Sequence, residues 1–413
     1  MPDAEIVAVG SELLTPQRID TDSLFLTQQL NDLGVEVVRK LIVGDDRIRL
    51  AGTVRDCLSR AKIVIVTGGL GPTEDDVTRD AVAAALGREL IFSEELCAAL
   101  EDRFRRANRK MAEINKRQAY LVSGAEVLPN PNGTAPGQWI ERDGSVVMIL
   151  PGPPRELKPL FRDQCASRLK SFLPPQSICT WTYRVAGLGE SDLDQLIAPV
   201  YTQYQNPVTT ILANAGDIQV LLRARGPSME EAEALVRELG RKIEPLLGDR
   251  IYSRNGGTLE AVVGQLLRQS CRTLAVAESC TGGLLGERIT RVPGSSTYFL
   301  GGFLTYSDRM KTELLGVDAE LIERHTAVSE PVALAMAEGA RLRTEADFGV
   351  SITGYAGPDG GTEENPVGTV FIGVASAHGS KVKRLRWPSA DRALIRSYAA
   401  QIALDQLRRR LLD

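Results

Sequence analysis

Histidine is nearly absent from this chain. Its 413 residues hold only two, His325 and His378. Histidine-dependent triads and His-rich metal sites are therefore poor candidates, and both histidines are expected in ordinary surface or loop positions. Cysteine is sparse and scattered. Cys57, Cys97, Cys165, Cys179, Cys271 and Cys280 form no Cys-x-x-Cys pair, so neither a disulfide framework nor a zinc site is expected. An excess of positive charge is also missing. The 49 Lys and Arg against 53 Asp and Glu give a net charge of −4, without the basic signature of nucleic-acid binding. No apolar run approaches the roughly 20 residues that span a bilayer. The opening Met1-Pro2-Asp3-Ala4-Glu5 carries no positive region and no signal-type core, so a cytoplasmic protein is expected. Any metal is expected to be a hard cation on carboxylates.

What is present is a composition of 43% hydrophobic and 25% charged residues, that of a soluble globular chain. The length exceeds one ordinary core and suggests two to four domains. Up to residue 172, short apolar runs alternate with helical patterns. Strands are predicted at 5–9, 36–43 and 63–66, and helices at 24–33, 48–61 and 77–86. That alternation implies a parallel sheet covered on both faces, with ligands bound beyond the carboxyl ends of its strands. A long charged helix is predicted over 94–116, as a solvated face.

The strand at 63–66 runs into Thr67-Gly68-Gly69-Leu70-Gly71-Pro72-Thr73-Glu74-Asp75-Asp76. Glycines there let backbone N–H groups approach an anion, and the following helix start adds favourable partial charge. Asp75 and Asp76 are candidates to hold a metal that itself holds phosphates. A plain Gly-rich turn capped by Asp residues explains the same pattern. The loop 130–137 and the segment Pro151-Gly152-Pro153-Pro154 read as further walls of one pocket, or as rigid turns.

After a linker at 173–176, a small unit reads strand–helix–strand–strand–helix–strand, an α+β sandwich. Its last helix, 229–246, is amphipathic, with Ala232, Leu235, Val236, Leu239, Ile243 and Leu246 on one side. No aromatic pair for stacking on RNA is evident, which favours a structural or dimerising role.

A second linker, Ser253-Arg254-Asn255-Gly256-Gly257, leads into a third region. Its centre is 277–311. It opens Ala277-Glu278-Ser279-Cys280-Thr281-Gly282-Gly283, passes Gly294-Ser295-Ser296 and Gly301-Gly302, and reaches Thr305-Tyr306-Ser307 and Lys311. Ser279, Cys280, Ser295, Ser296 and Ser307 are all candidate nucleophiles. With no histidine nearby, Lys311 and Tyr306 remain to activate a hydroxyl, since a buried lysine has a lowered pKa and acts as a base. Each serine alone is equally a cap or turn hydroxyl. Cys280 reads as a thiolate at a helix start or, preferably, as a small buried hydrophobe. A strand at 348–352, the loop 353–361, a hairpin at 368–387 and a helix at 392–412 complete the chain.

Taken together, these motifs resemble the CinA family over essentially the whole length. Gly10-Ser11-Glu12-Leu13-Leu14, the loop Thr67 to Asp76 and Pro151-Gly152-Pro153-Pro154 resemble the MoaB/MogA-like molybdopterin-binding fold. Ala277 to Gly283, Gly294-Ser295-Ser296, Thr305-Tyr306-Ser307, the loop 353–361 and Asp391-Arg392 resemble nicotinamide mononucleotide (NMN) deamidase. The resemblance implies an α/β chain of three domains. These are a three-layer parallel-sheet domain at 1–172, a KH-type α+β domain at 177–252 and an amidohydrolase domain at 257–413.

It also implies two activities, NMN deamidation and metal-dependent ADP-ribose pyrophosphatase. For the first it assigns Ser296 as nucleophile, Lys311 as base and Tyr306 as support, with Thr353 and Arg392 assisting and no cofactor. Glu278, Ser279, Thr281, Gly282, Gly283, Gly302, Gly357, Gly360 and Gly361 would hold this substrate. For the second it places ligand on Gly68, Gly69, Gly71, Thr73 and Gly152. A divalent metal would sit on Asp76 with Asp45 or Asp46. The partners implied are NMN, ADP-ribose and a second copy in a homodimer, with neither membrane nor nucleic acid. A pterin-nucleotide site in the first domain and a competence-related scaffold are the alternatives. Tyr355, where an aliphatic residue is usual, and Ser11, where an acid or amide is frequent, depart from the family pattern.

Overall fold

The computed structural model describes residues 2–413. Contacts divide them into two compact units. The first runs to residue 179 and takes in 224–234, and the second holds 180–223 and 235–413.

In chain order the first unit contains β1 (Asp3–Val9), α1 (Asp22–Asp32), β2 (Glu36–Val43), α2 (Arg47–Leu58), β3 (Ile63–Thr67), α3 (Thr78–Leu86), β4 (Leu90–Phe92) and α4 (Glu94–Arg106). It continues with β5 (Tyr120–Val122), β6 (Glu126–Leu128), β7 (Gly137–Arg142), β8 (Ser145–Leu150), α5 (Pro154–Leu160) and α6 (Ala166–Phe172). One sheet has the order β2-β1-β3-β8-β7-β6. β2, β1, β3 and β8 are parallel, while β7 and β6 add an antiparallel edge. Continuous apolar strands supply both faces. Val64 and Val66 join Leu50, Val54, Ala81 and Val82 in one core. Ile63 and Ile65 join Leu26, Leu30, Leu157 and Leu160 in the other. Each buried Val, Leu or Ile here contributes roughly 1.5–3 kcal/mol by leaving water, so the three-layer arrangement follows directly from the strand sequence.

One expectation needs correction here. The helix predicted over 94–116 ends at Arg106, because Asn108 turns into the left-handed region at φ 53°. Residues Glu113–Ala119 form a separate 3-10 turn. The short antiparallel pair β4–β5 was not predicted.

The small α+β sheet comprises β9 (Ser177–Ala186), α7 (Glu190–Tyr201), β10 (Val208–Asn214), β11 (Asp217–Gly226), α8 (Met229–Leu247) and β12 (Ile251–Ser253), with strand order β10-β11-β9-β12. Ile218, Val220 and Leu222 alternate inward along β11, and Val236, Leu239 and Ile243 are the buried stripe of α8. The predicted element order is the observed one.

The remaining sequence forms α9 (Leu259–Gln269), β13 (Leu274–Glu278), α10 (Leu284–Thr290), β14 (Phe299–Leu304), α11 (Asp308–Leu315), α12 (Ala319–His325), α13 (Glu330–Thr344), β15 (Phe348–Gly354), β16 (Thr369–Ser376), β17 (Gly379–Arg386) and α14 (Arg392–Leu412). The sheet order is β14-β13-β15-β16-β17. The first three strands are parallel and the last two antiparallel. Val276, Val350 and Ile372 pack with Val263, Leu267, Ala403 and Leu407 on one face. Ala275 and Ala277 pack with Val332, Met336 and Ala340 on the other. α10 starts only at Leu284, because Gly282 and Gly283 take left-handed φ of 58° and 94°. Among the described residues no helix is long and apolar enough to cross a membrane. His325 and His378 are both exposed.

Candidate active site and first-unit cavity

In the C-terminal sheet the chemistry gathers where β13 and β14 end. Ser279 follows β13 directly, and its N–H donates to Ile352 O at 2.9 Å, which seats it against the end of β15. Thr305 follows β14, and its N–H donates to Glu278 O at 2.9 Å. Lys311, on the first turns of α11, reaches back into this corner and is 1% exposed. Its Nζ donates to Thr305 O at 3.0 Å and lies 3.5 Å from Ser279 Oγ. Burial holds the Lys311 amine below the ordinary lysine range, partly offset by the Asp308 carboxylate and Cys280. Asp308 Oδ1 is 3.9 Å away and largely exposed.

This geometry does not bring the expected nucleophile, Ser296, to Lys311. Ser296 sits in the exposed 3-10 turn Ser295–Thr297 that precedes β14. Thr305 and Lys311 lie past the other end of that strand. Its six residues separate the two ends by roughly 17 Å at about 3.3 Å per residue. The hydroxyl that meets Lys311 is that of Ser279. Strand direction was the available signal, because Ser279 follows a parallel strand and Ser296 precedes one.

The other expected residues divide into those at the corner and those that brace it. The Tyr306 hydroxyl accepts from Arg392 Nη2 at 3.0 Å, and Arg392 Nη1 donates to Gly357 O at 2.8 Å. Arg392 thus ties the exposed Tyr306 to the loop after β15. Thr353 is buried and donates to Ala327 O at 2.8 Å. Glu278 is not free for substrate. Its carboxylate accepts from the N–H groups of Gly283, Leu285 and Gly286 at 2.8–3.1 Å. The donors at the start of α10 that the Thr281–Gly283 motif offers to a phosphate are therefore taken from within. Thr281 presents its carbonyl to Arg396, with Nη2 at 2.6 Å, an arginine the sequence did not single out. Gly302 is a packing glycine, since an added Cβ would meet Val276 Cγ2 at 2.7 Å. Gly360 and Gly361 shape the loop after β15, and an added Cβ at Gly361 would meet Val367 N at 2.7 Å. Cys280 lies in the core, where burial pushes its thiol up to about 12. Its place in the apolar core fits the small buried hydrophobe rather than the thiolate.

In the first unit a cavity of about 620 Å³ opens at the carboxyl ends of β1, β3 and β8. Gly68, Gly69, Gly71 and Gly152 line it, as does Asp76. Gly68 is required by close approach, because a Cβ there would lie 2.3 Å from Val9 O. The buried Arg79, which the sequence did not flag, props the loop from below, donating to Leu70 O and Gly71 O at 2.9 Å each.

The expected metal ligands do not form a set. Asp76 accepts from Gly71 N, Thr73 N and Thr73 Oγ1 at 2.5–2.8 Å, so Thr73 braces the loop too. Asp45 accepts from Ser11 N at 2.8 Å, and Asp46 caps α2 through Arg49 N at 2.9 Å. Among the described residues no group of three or more His, Cys, Asp or Glu is arranged to hold a metal ion. The residues named for a divalent cation do not fit one together.

The fold and sites define a multidomain α/β protein. It has a cavity of about 620 Å³ over one parallel sheet and a buried lysine against a serine over another. Three family descriptions match in sequence order. "Probable molybdopterin binding domain" covers residues 5–171, "Damage-inducible protein CinA KH domain" 180–253, and "CinA C-terminal domain" 257–411. The chain belongs to the CinA family. A CinA-like protein of Solibacter usitatus is 59% identical over 99% of this chain and 98% of its own length. A putative competence-damage inducible protein of Symbiobacterium thermophilum is 44% identical over 99% of each. The solved Thermoplasma acidophilum CinA structure is 28% identical, with TM-score 0.38, covering 42% of this chain and 98% of that one.

Proposed function

We propose that the C-terminal corner is an amidohydrolase site acting on NMN, with Ser279 as nucleophile and Lys311 as base. One observation carries this reading: the buried Lys311 amine faces the Ser279 hydroxyl. Burial favours the neutral amine, which takes the Ser279 proton as Oγ attacks the carboxamide carbon. The C–N bond then breaks, and Lys311 returns that proton to the leaving nitrogen, which departs as ammonia. Water, deprotonated by the same amine, attacks the acyl-serine carbonyl; as the ester C–O bond breaks, Lys311 returns the proton to Ser279 Oγ and nicotinic acid mononucleotide leaves. Tyr306, held by Arg392, stands beside the corner to orient substrate. Ammonia release from NMN by Ser279→Ala and Ser296→Ala proteins tests the assignment. Loss in the first alone supports it, and loss in the second alone sinks it.

The first-unit cavity supports a second, nucleotide-handling function, which we read as ADP-ribose pyrophosphatase with adenylated pterin as the competing substrate. Its volume falls within the range of small-molecule sites. No step is assigned to a metal there. Purified protein offered each substrate with a divalent cation separates the two.

A further inference from the structure

A second cavity lies at the far end of α14 from the serine–lysine corner. Its volume is about 360 Å³, and β16, β17 and the last turns of α14 bound it. In the register of these strands Lys383 stands opposite Ile372 and Lys381 opposite Val374. Residues paired across two strands share a sheet face. Both lysines therefore flank the two apolar side chains that floor the cavity.

The charges on this wall do not cancel. Arg408 is 3% exposed. Its Nε donates to Asp405 Oδ1 at 2.9 Å, and its Nη2 to the same oxygen and to Asp249 O at 2.8 Å each. Arg409 Nε donates to Asp405 Oδ2 at 2.8 Å, and its Nη1 pairs with the Asp249 carboxylate. Those two arginines and two aspartates balance. Arg410 is spread over Ser376 Oγ, His378 O and Gly379 O at 3.1–3.3 Å, with Asp413 Oδ2 at 3.9 Å. Lys381 and Lys383 are exposed, and among the described residues no ion pair links either to a carboxylate. They are the surplus positive charge of the cavity.

Two ammonium groups on alternate residues of one strand, about 6–7 Å apart along it, can straddle a phosphate dianion. Charge-assisted hydrogen bonds of that kind are the strong ones. The apolar floor beside them suits a flat or apolar body, and the volume is that of a small-molecule site. We propose that this cavity binds a nucleoside monophosphate, with Lys381 and Lys383 on its phosphate and its base over Ile372 and Val374. The site shares no residue with the serine–lysine corner or the first-unit cavity.

Lysine acylation of the full chain, followed residue by residue by mass spectrometry, tests it. For a Kd of about 1 mM, AMP at about 2 mM should slow acylation of Lys381 and Lys383 about threefold, one plus the ratio of ligand to Kd. The exposed Lys40 and Lys110 should react unchanged. Inorganic phosphate should protect the pair less than AMP, and adenosine not at all. In Lys381→Ala, which removes an exposed side chain, the protection of Lys383 by AMP should nearly vanish. No slowing by AMP, the result expected if the lysines only guard the edge strand β17, overturns the proposal. Equal slowing by sulfate at matched ionic strength, the mark of charge screening, overturns it too, as does full protection of Lys383 in Lys381→Ala.

Discussion

The two glycine-rich loops of this chain look alike in sequence and end in different chemistry. In each, a parallel strand runs into glycines and then a helix, and in each a carboxylate from the motif folds back on backbone N–H groups. Asp76 gathers Gly71 and Thr73, and Glu278 gathers Gly283, Leu285 and Gly286. A motif that advertises an anion cradle can thus satisfy its own donors. The difference lies in what each loop leaves beside it. The first leaves an open cavity at the carboxyl ends of its strands. The second leaves a closed corner in which a lysine meets a serine.

The sharpest way to break this contrast is at the serine. Ser279→Ala is expected to lower NMN deamidation by about three orders of magnitude, read as ammonia release, while Ser296→Ala stays near wild type. ADP-ribose cleavage should be untouched by both. Lys311→Met should lose deamidation on a similar scale, yet keep or raise its melting temperature, because the buried amine is replaced by an apolar chain of similar length. In the wild type the neutral amine is the working form and its pKa is lowered by burial. Deamidation should therefore rise with pH and level off below the ordinary lysine range, and a rate still climbing past pH 11 would count against Lys311 as base.

The internal ties come next in size. Glu278→Ala strips three N–H groups of their acceptor and should destabilise the protein by about 2–3 kcal/mol, measured by denaturant unfolding. Asp76→Ala acts on a more exposed loop. About 1 kcal/mol is expected, with weaker nucleotide binding in the cavity and unchanged deamidation. Equal costs for the two would erase the distinction between a buried and an open loop.

Much of the fold was legible because periodicity reports burial. β2 and α14 occupy the predicted residues, and Ala232, Val236, Leu239 and Ile243 of the predicted α8 stripe are buried, whereas Leu235 is half-buried and Leu247 takes the place expected of the exposed Leu246. What escaped had no periodic signal. Three-residue strands such as β4 and β5 are too short to alternate. The break after α4 depends on one asparagine, Asn108, taking a positive φ. In the site, sequence supplied Lys311, Tyr306, Arg392 and Ser279 as candidates, while motif matching promoted Ser296. Spacing along the chain says nothing about which end of β14 a serine occupies, and the direction of the strand does. The internal use of Glu278 and Asp76 was illegible for a related reason, because a carboxylate that binds and one that braces have the same letter.

Cys280 sits next to the proposed nucleophile and is shut in the core, whereas Cys271 is exposed. Alkylating agents and peroxide reach Cys271 first, and the thiol beside the reactive hydroxyl stays protonated and out of reach. On the proposed reading, deamidation depends on no thiol and should persist under oxidative conditions that silence thiol enzymes.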